Sequence, residues 1–100
     1  MKTLETTLDH LENLMDLFGT SDKNLKLIEE ELNISVTTRG ETIKFTGEEA
    51  DIELAKAVID QLLFLAKNGI TIGGRDVTLA LAMAKKGTLE YLEDLYKEEI

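Results

Sequence analysis

The sequence contains no cysteine and no proline, and its only histidine is His10. Without cysteine, the chain can form no disulfide, no thiolate metal site and no cysteine nucleophile. One histidine makes a histidine-built metal site or a histidine proton relay implausible. The absence of proline gives no sign of an internal linker. We therefore expect a single domain that carries no catalytic centre and binds no cofactor of its own.

Long apolar runs are also missing. No stretch approaches the roughly 20 apolar residues that a membrane span needs. The N-terminus, Met1–Glu5, lacks the apolar core of a signal peptide. Hydrophobic residues make up 43% of the chain and charged residues 31%, which is an ordinary globular balance. The sequence predicts a cytoplasmic protein without a membrane partner.

Positive charge is scarce, since 11 lysines and arginines face 20 aspartates and glutamates and the net charge is −9. Such a chain repels phosphate backbones at long range, which argues against tight, non-specific binding to nucleic acid. Any nucleic-acid site must therefore be a small local basic patch.

Periodicity predicts an α+β fold. Alternating apolar and polar residues indicate strands, and apolar residues spaced by three and four indicate helices. The predicted strands cover 2–7, 34–38 and 42–46, and the predicted helices cover 9–17, 22–32, 48–67, 75–86 and 89–99. We expect a three-stranded antiparallel sheet with helices on one face. The predicted core is Leu11, Leu14, Met15, Phe18, Leu25, Ile28, Leu32, Ile34, Val36, Ile43, Phe45, Leu54, Ala55, Val58, Ile59 and Leu62.

Several glycines and one threonine are predicted to mark boundaries between elements. Gly47 is expected to break the second strand of the hairpin, and Gly73-Gly74 to form a flexible joint. Thr88 is expected to cap the last helix.

A glycine loop lies between the first two predicted helices, in Phe18-Gly19-Thr20-Ser21-Asp22-Lys23-Asn24-Leu25. The β-α-α-β-β-α order with this loop resembles a KH domain, in which a G-x-x-G loop clamps the nucleotide backbone. The departure is Asp22, which stands where the second glycine belongs and adds a like charge beside a phosphate. The resemblance, with the nearby cations, assigns these candidate nucleic-acid contacts: Gly19, Thr20, Ser21, Lys23, Asn24, Lys26 and Arg39.

Each of these features also has a structural interpretation. Ser21 and Asp22 are good N-caps, so the loop can be only a turn between packed helices. Arg39, at the tip of the predicted hairpin, can be a solvated turn residue.

The chain also resembles a named family, through FGTSDKNLKLIEEELNISVTTRGETIKFTGEEADIELAKAVIDQL and, further on, AMAKKGTLEYLEDLY. These segments look like the N-terminal region of bacterial PhoH-like (phosphate-starvation-inducible) proteins. In that family Phe18-Gly19, Asn24-Leu25, Arg39-Gly40 and Gly47-Glu48-Glu49 have counterparts. The resemblance implies a domain that precedes a P-loop ATPase domain with a role in RNA metabolism. It divides the chain into a KH-like core over 1–69 and a C-terminal helical extension over 70–100.

The ATPase motif itself is absent from the sequence. No G-x-x-x-x-G-K-[ST] string occurs, and the nearest strings, Ile72–Asp76 and Lys85–Thr88, do not fit it. ATP and Mg²⁺ are therefore expected in a separate ATPase domain. Glu98-Glu99-Ile100 shows no helix stop signal, which favours a piece of a longer protein over a stand-alone relative.

Two functional hypotheses remain from the sequence. The first is an accessory KH-like module that binds single-stranded RNA weakly through a degenerate G-x-x-G loop. The alternative is a protein-interaction or oligomerisation module that packs on its own ATPase domain or on a second copy and binds no nucleic acid.

Overall fold

The computed structural model describes residues 2–7, 23–39 and 42–98. The elements in these ranges are, in order, β1 (Lys2–Thr7), α1 (Lys23–Leu32), β2 (Ser35–Arg39), β3 (Thr42–Gly47), α2 (Glu49–Lys67), α3 (Gly74–Lys86), a 3₁₀ helix (Leu89–Tyr91) and α4 (Leu92–Leu95). The predicted helix over 9–17 and the glycine loop up to Asp22 lie outside the described residues, as do Gly40 and Glu41.

The three strands form one antiparallel sheet in the order β1-β3-β2. Strand β3 lies in the centre, paired with β1 from Lys2↔Gly47 to Thr7↔Thr42 and with β2 from Ser35↔Thr46 to Arg39↔Thr42. Because side chains alternate along a strand, one face of the sheet is apolar and the other polar. The apolar face buries Val36, Ile43 and Phe45, whereas the exposed face carries Thr3, Ser35, Thr37 and Lys44. The predicted α+β fold, with helices on one face of the sheet, is confirmed.

Helix α2 occupies the middle of the core. It packs against β3, α1, α3 and the C-terminal turns. Its apolar positions recur every three or four residues along one side, and Val58, Leu62 and Leu65 are completely buried. Among the described residues, no helix is long and apolar enough to cross a membrane.

The three longer helices end in the same way, with a residue in the left-handed region. Asn33 has φ 54°, Gly69 has φ 90° and Gly87 has φ 78°. In each case the next amide reaches back five residues, as in Ile34 N–H to Glu29 O at 3.1 Å. This hydrogen bond satisfies a carbonyl at the helix end and turns the chain back.

The predicted core agrees closely with the observed one. Every predicted core residue in the described ranges is buried except Leu54, which is half-buried. Leu11, Leu14, Met15 and Phe18 lie outside those ranges. Seven further residues join the core, namely Ile52, Leu65, Val77, Ala80, Leu81, Ala84 and Leu92. Helix α3 and the C-terminal turns thus share a core with the sheet, and the division at residue 69 stays a prediction.

The predicted last helix over 89–99 is wrong in its length. The chain forms a 3₁₀ turn and then a single turn of α-helix that ends at Leu95. At the start and at the end of this segment an amide reaches back only three residues, from Tyr91 N–H to Thr88 O and from Tyr96 N–H to Glu93 O, both 3.0 Å. The Thr88 hydroxyl does not cap this segment, because it donates backwards to Met83 O at 3.3 Å.

The two predictions about glycines have different outcomes. Gly47 ends β3, as predicted, and is the last residue of the strand, paired with Lys2. Gly73-Gly74 is not a flexible joint but the start of α3. The Asp76 carboxylate accepts the Gly73 N–H at 2.9 Å, and the Asp76 N–H donates to the Gly73 carbonyl at 3.1 Å, which fixes this helix end.

Candidate nucleic-acid interface

Two of the predicted contact residues, Lys23 and Lys26, lie in the first turn of helix α1. Both are exposed, and three residues apart they share one side of the helix. Within the described ranges, neither forms an ion pair. The described carboxylates therefore leave the ammonium groups of this turn without an ionic partner.

The residues between these lysines turn inward. Leu25 is 9% exposed, and Asn24 is 5% exposed and has a polar partner. Because it is buried, the Asn24 side chain is better placed to hold the start of α1 against the rest of the fold than to contact a ligand. The role of Asn24 as a contact residue stays a prediction, as do those of Gly19, Thr20 and Ser21, which lie outside the described residues.

Arg39 is the last residue of strand β2, which follows α1 in the chain. After the left-handed turn at Asn33, the Val36 N–H donates to the Glu29 carboxylate at 2.9 Å, so the chain has reversed beside the helix. The strand continues from Val36 to Arg39. The role of Arg39 as a contact residue stays a prediction.

The charges of α1 run against its helix dipole. Its first turn contains Lys23 and Lys26 and no acidic residue, and its last turns contain Glu29, Glu30 and Glu31 and no basic residue. The positive end of a helix favours carboxylates and its negative end favours cations, so each misplaced charge costs about 0.3–1 kcal/mol.

The other two long helices mostly follow the favourable pattern. Helix α2 has Glu49 and Asp51 in its first turn and Lys67 in its last. Helix α3 has Asp76 beside Arg75 in its first turn, and Lys85 and Lys86 in its last. Two glutamates of α1 have partners that offset their unfavourable position. Besides the Glu29 contact with β2, the Glu31 carboxylate pairs with Lys85 Nζ at 2.8 Å. No comparable contact within the described ranges accounts for Lys23 and Lys26.

The two ammonium groups in the first turn of α1 can attract an anion. Among the described residues, no group of three His, Cys, Asp or Glu side chains is arranged to hold a metal ion.

Sequence reasoning missed the Glu29 contact with β2. Three glutamates follow one another in α1, and periodicity alone does not indicate which of them faces the sheet edge.

Comparison with known proteins gives relatives in one group. The chain is 44% identical over 93 residues to a PhoH-like protein of Bacillus subtilis (strain 168), a match that covers 93% of this chain and 29% of the relative. It is 32% identical over 81 residues to a PhoH-like protein of Mycobacterium leprae (strain TN), covering 80% of this chain and 23% of the relative. A PhoH-like protein of Mycobacterium tuberculosis (strain H37Rv) is 31% identical over 70 residues. No family model and no solved structure matches the chain.

The matches are long with respect to this chain and short with respect to the relatives. The chain spans between 20% and 29% of the length of these PhoH-like proteins. It corresponds to one domain-sized part of them. The chain therefore belongs to the PhoH-like family.

Proposed function

We propose that this chain is the accessory, KH-like, RNA-binding module of a PhoH-like protein, with a degenerate G-x-x-G loop. The observation that supports the proposal is the reversed charge pattern of helix α1. Two lysines, which form no ion pair with another described residue, reinforce the positive end of a helix that carboxylates would stabilise better. Departures from local consistency are expected where a protein binds something.

In this proposal the first turn of α1 contacts phosphates. Lys23 and Lys26 supply charge, and Arg39 approaches from the end of β2. Asp22, directly before the helix, weakens the site because it places a carboxylate beside the phosphate and replaces a glycine that would allow close approach. Binding would be weak and sensitive to salt, since phosphate contacts release counterions.

The ATP-hydrolysing chemistry implied by the family would lie outside this chain, together with ATP and Mg²⁺. The module would present single-stranded RNA to that ATPase domain in the cytoplasm. The chain itself would contribute binding and no catalytic step.

The test is a titration of labelled single-stranded RNA against the 100-residue chain at low and near-physiological salt. For three phosphate contacts, log K should fall with log salt with a slope of about −2. Asp22→Gly should bind more tightly, because it removes the opposing carboxylate. Lys23→Glu should abolish binding at near-physiological salt.

Lys86→Glu is the matched control, because it makes the same charge change at a distant site. Lys86 is exposed and follows Lys85, whose ammonium pairs with Glu31 near the far end of α1. If Lys86→Glu weakens binding as much as Lys23→Glu does, the attraction is only to net charge. If no variant binds RNA even at low salt, the loop is a structural turn and the proposal is overturned.

The competing function is a protein-interaction or oligomerisation module without nucleic-acid binding. The net charge of −9 favours it, because that charge repels RNA. Its signature would be a mass that rises with protein concentration in sedimentation, combined with no response to RNA. A concentration-independent mass would exclude self-association.

A further inference from the structure

The C-terminal turns carry two large apolar side chains that the fold leaves in solvent. Tyr91 is 56% exposed and Leu95 is 60% exposed, the two highest values among the large hydrophobic residues of the described chain. Four residues apart on consecutive helical turns, they lie on the same side of this segment.

Their neighbours in the same turns show that the segment is firmly seated. Leu92 is completely buried in the core, and Tyr96 donates a hydrogen bond from its hydroxyl to the Asp76 carboxylate. Leu89, Leu92 and Tyr96 therefore form the inward side of the segment, and Tyr91 and Leu95 form a second side beside it. We call these two residues the C-terminal apolar patch.

Acidic residues surround this patch. Glu90, Glu93, Asp94 and Glu98 lie in the same segment, and its one cation, Lys97, already pairs with Asp94 at 3.1 Å. A second copy of this chain would bring the same carboxylates together, and two such patches are small beside the roughly 1,200 Å² that a stable interface buries in total. Charge complementarity instead favours a partner whose apolar site is bordered by lysine or arginine.

The family comparison indicates where such a partner is available. The PhoH-like relative from Bacillus subtilis has 71% of its length outside the part that the match covers, since the match spans 29% of it. We infer that the C-terminal apolar patch docks onto this remaining part of a PhoH-like protein, through an apolar surface bordered by basic side chains. The inference rests on the proposed role as an accessory domain and does not depend on RNA binding.

The absence of cysteine from this chain allows a direct accessibility test. Single variants Tyr91→Cys and Leu95→Cys would be labelled with a maleimide, first in the 100-residue chain and then in a chimera. In the chimera, this chain replaces its matched part of the Bacillus subtilis relative, and cysteines elsewhere are changed to serine. Thr37→Cys, on the exposed polar face of the sheet, is the control.

We expect labelling at positions 91 and 95 to slow by tenfold or more in the chimera, with Thr37→Cys unchanged. Raising the salt concentration should restore part of the labelling rate, because the rim contacts are ionic. Equal rates at position 91 in both proteins would overturn the inference. Should the chimera fail to fold, hydrogen exchange of the intact Bacillus subtilis relative decides: fast exchange in the segment aligned with the 3₁₀ helix would also overturn it. None of these readings depends on RNA, so a failure here is distinct from a failure of the RNA titration.

Discussion

Replacing Gly47 by alanine should destabilise the fold, because the added methyl group has no room. A Cβ built on Gly47 would lie 2.7 Å from Ile34 Cγ2, 3.3 Å from Ile34 Cβ and 3.5 Å from Ile34 Cα. The obstructing methyl is attached directly to Cβ, so it cannot move away as the end of a long side chain would. The Ile34 backbone is also held, since its N–H donates to Glu29 O at 3.1 Å.

The magnitude follows from two opposing effects. Overpacking a closed core costs typically 1–3 kcal/mol. Replacing glycine by alanine also restricts the unfolded chain, which favours the folded state by about 0.4–1 kcal/mol. The net loss should be about 1–2 kcal/mol, or a fall in Tm of about 4–16 °C for a domain of this size.

Urea denaturation followed by circular dichroism measures this loss of stability. Two further variants test whether the contact with Ile34 causes it. At Gly74 an added Cβ would meet only Leu27 Cδ1, at 3.7 Å, so Gly74→Ala should leave stability unchanged or raise it slightly. Combining Gly47→Ala with Ile34→Ala removes the obstructing methyl, so the double variant should lose less than the sum of the single losses, by about 0.5–2 kcal/mol. An unchanged midpoint for Gly47→Ala, or strict additivity in the pair, would refute the close contact.

Three further substitutions test other parts of the fold by the same denaturation assay. Val58→Ala should cost about 1–3 kcal/mol, since Val58 is completely buried and leaves a cavity, and an unchanged midpoint would contradict its place in the core. Tyr96→Phe should cost about 1–2 kcal/mol because the Asp76 carboxylate loses a donor, whereas a neutral result would mean that the C-terminal segment is held by Leu packing alone. Glu29→Ala should cost about 1–2 kcal/mol because it leaves the Val36 N–H without its acceptor. Glu29→Gln keeps an acceptor and should cost less than half as much. Equal losses for the two variants would argue against that hydrogen bond.

Sequence periodicity predicted the sheet and the main helices because an element that is buried on one face has apolar residues at regular intervals in its sequence. Leu25, Ile28 and Leu32 are spaced for one side of a helix, and all three are buried. Ile43 and Phe45 alternate with polar residues in β3 and face the core. These elements can be predicted from such patterns without knowing which other elements pack against them.

Features set by a tertiary partner escaped prediction. The leucines and tyrosine from Leu89 to Tyr96 fit a longer helix, but the burial of Leu92 and the hydrogen bond of Tyr96 with Asp76 accompany a 3₁₀ turn there. The exposure of Lys23 and Lys26 follows from helical spacing. The burial of Asn24 does not, because a buried polar side chain needs a hydrogen-bonding partner elsewhere in the fold, which the local sequence does not show. The exposure of the two lysines therefore agrees with the sequence, and the roles of all three residues as nucleic-acid contacts stay predictions.

In helix α1, more clearly than in any other described element, one substitution should change stability and RNA binding in opposite directions. In α2 the charges at both ends favour the helix dipole, as do Asp76, Lys85 and Lys86 in α3, and changing them would weaken the fold. In α1 the lysines oppose the dipole, so Lys23→Glu should raise the free energy of unfolding by about 0.3–1 kcal/mol while it removes RNA binding. If Lys23 supported the fold, the substitution would lower stability. If Lys23 had no binding role, the substitution would raise stability and leave RNA binding unchanged. Opposite signs in the two measurements on the same variant would mean that the first turn of α1 is built to hold a phosphate at the expense of its own helix.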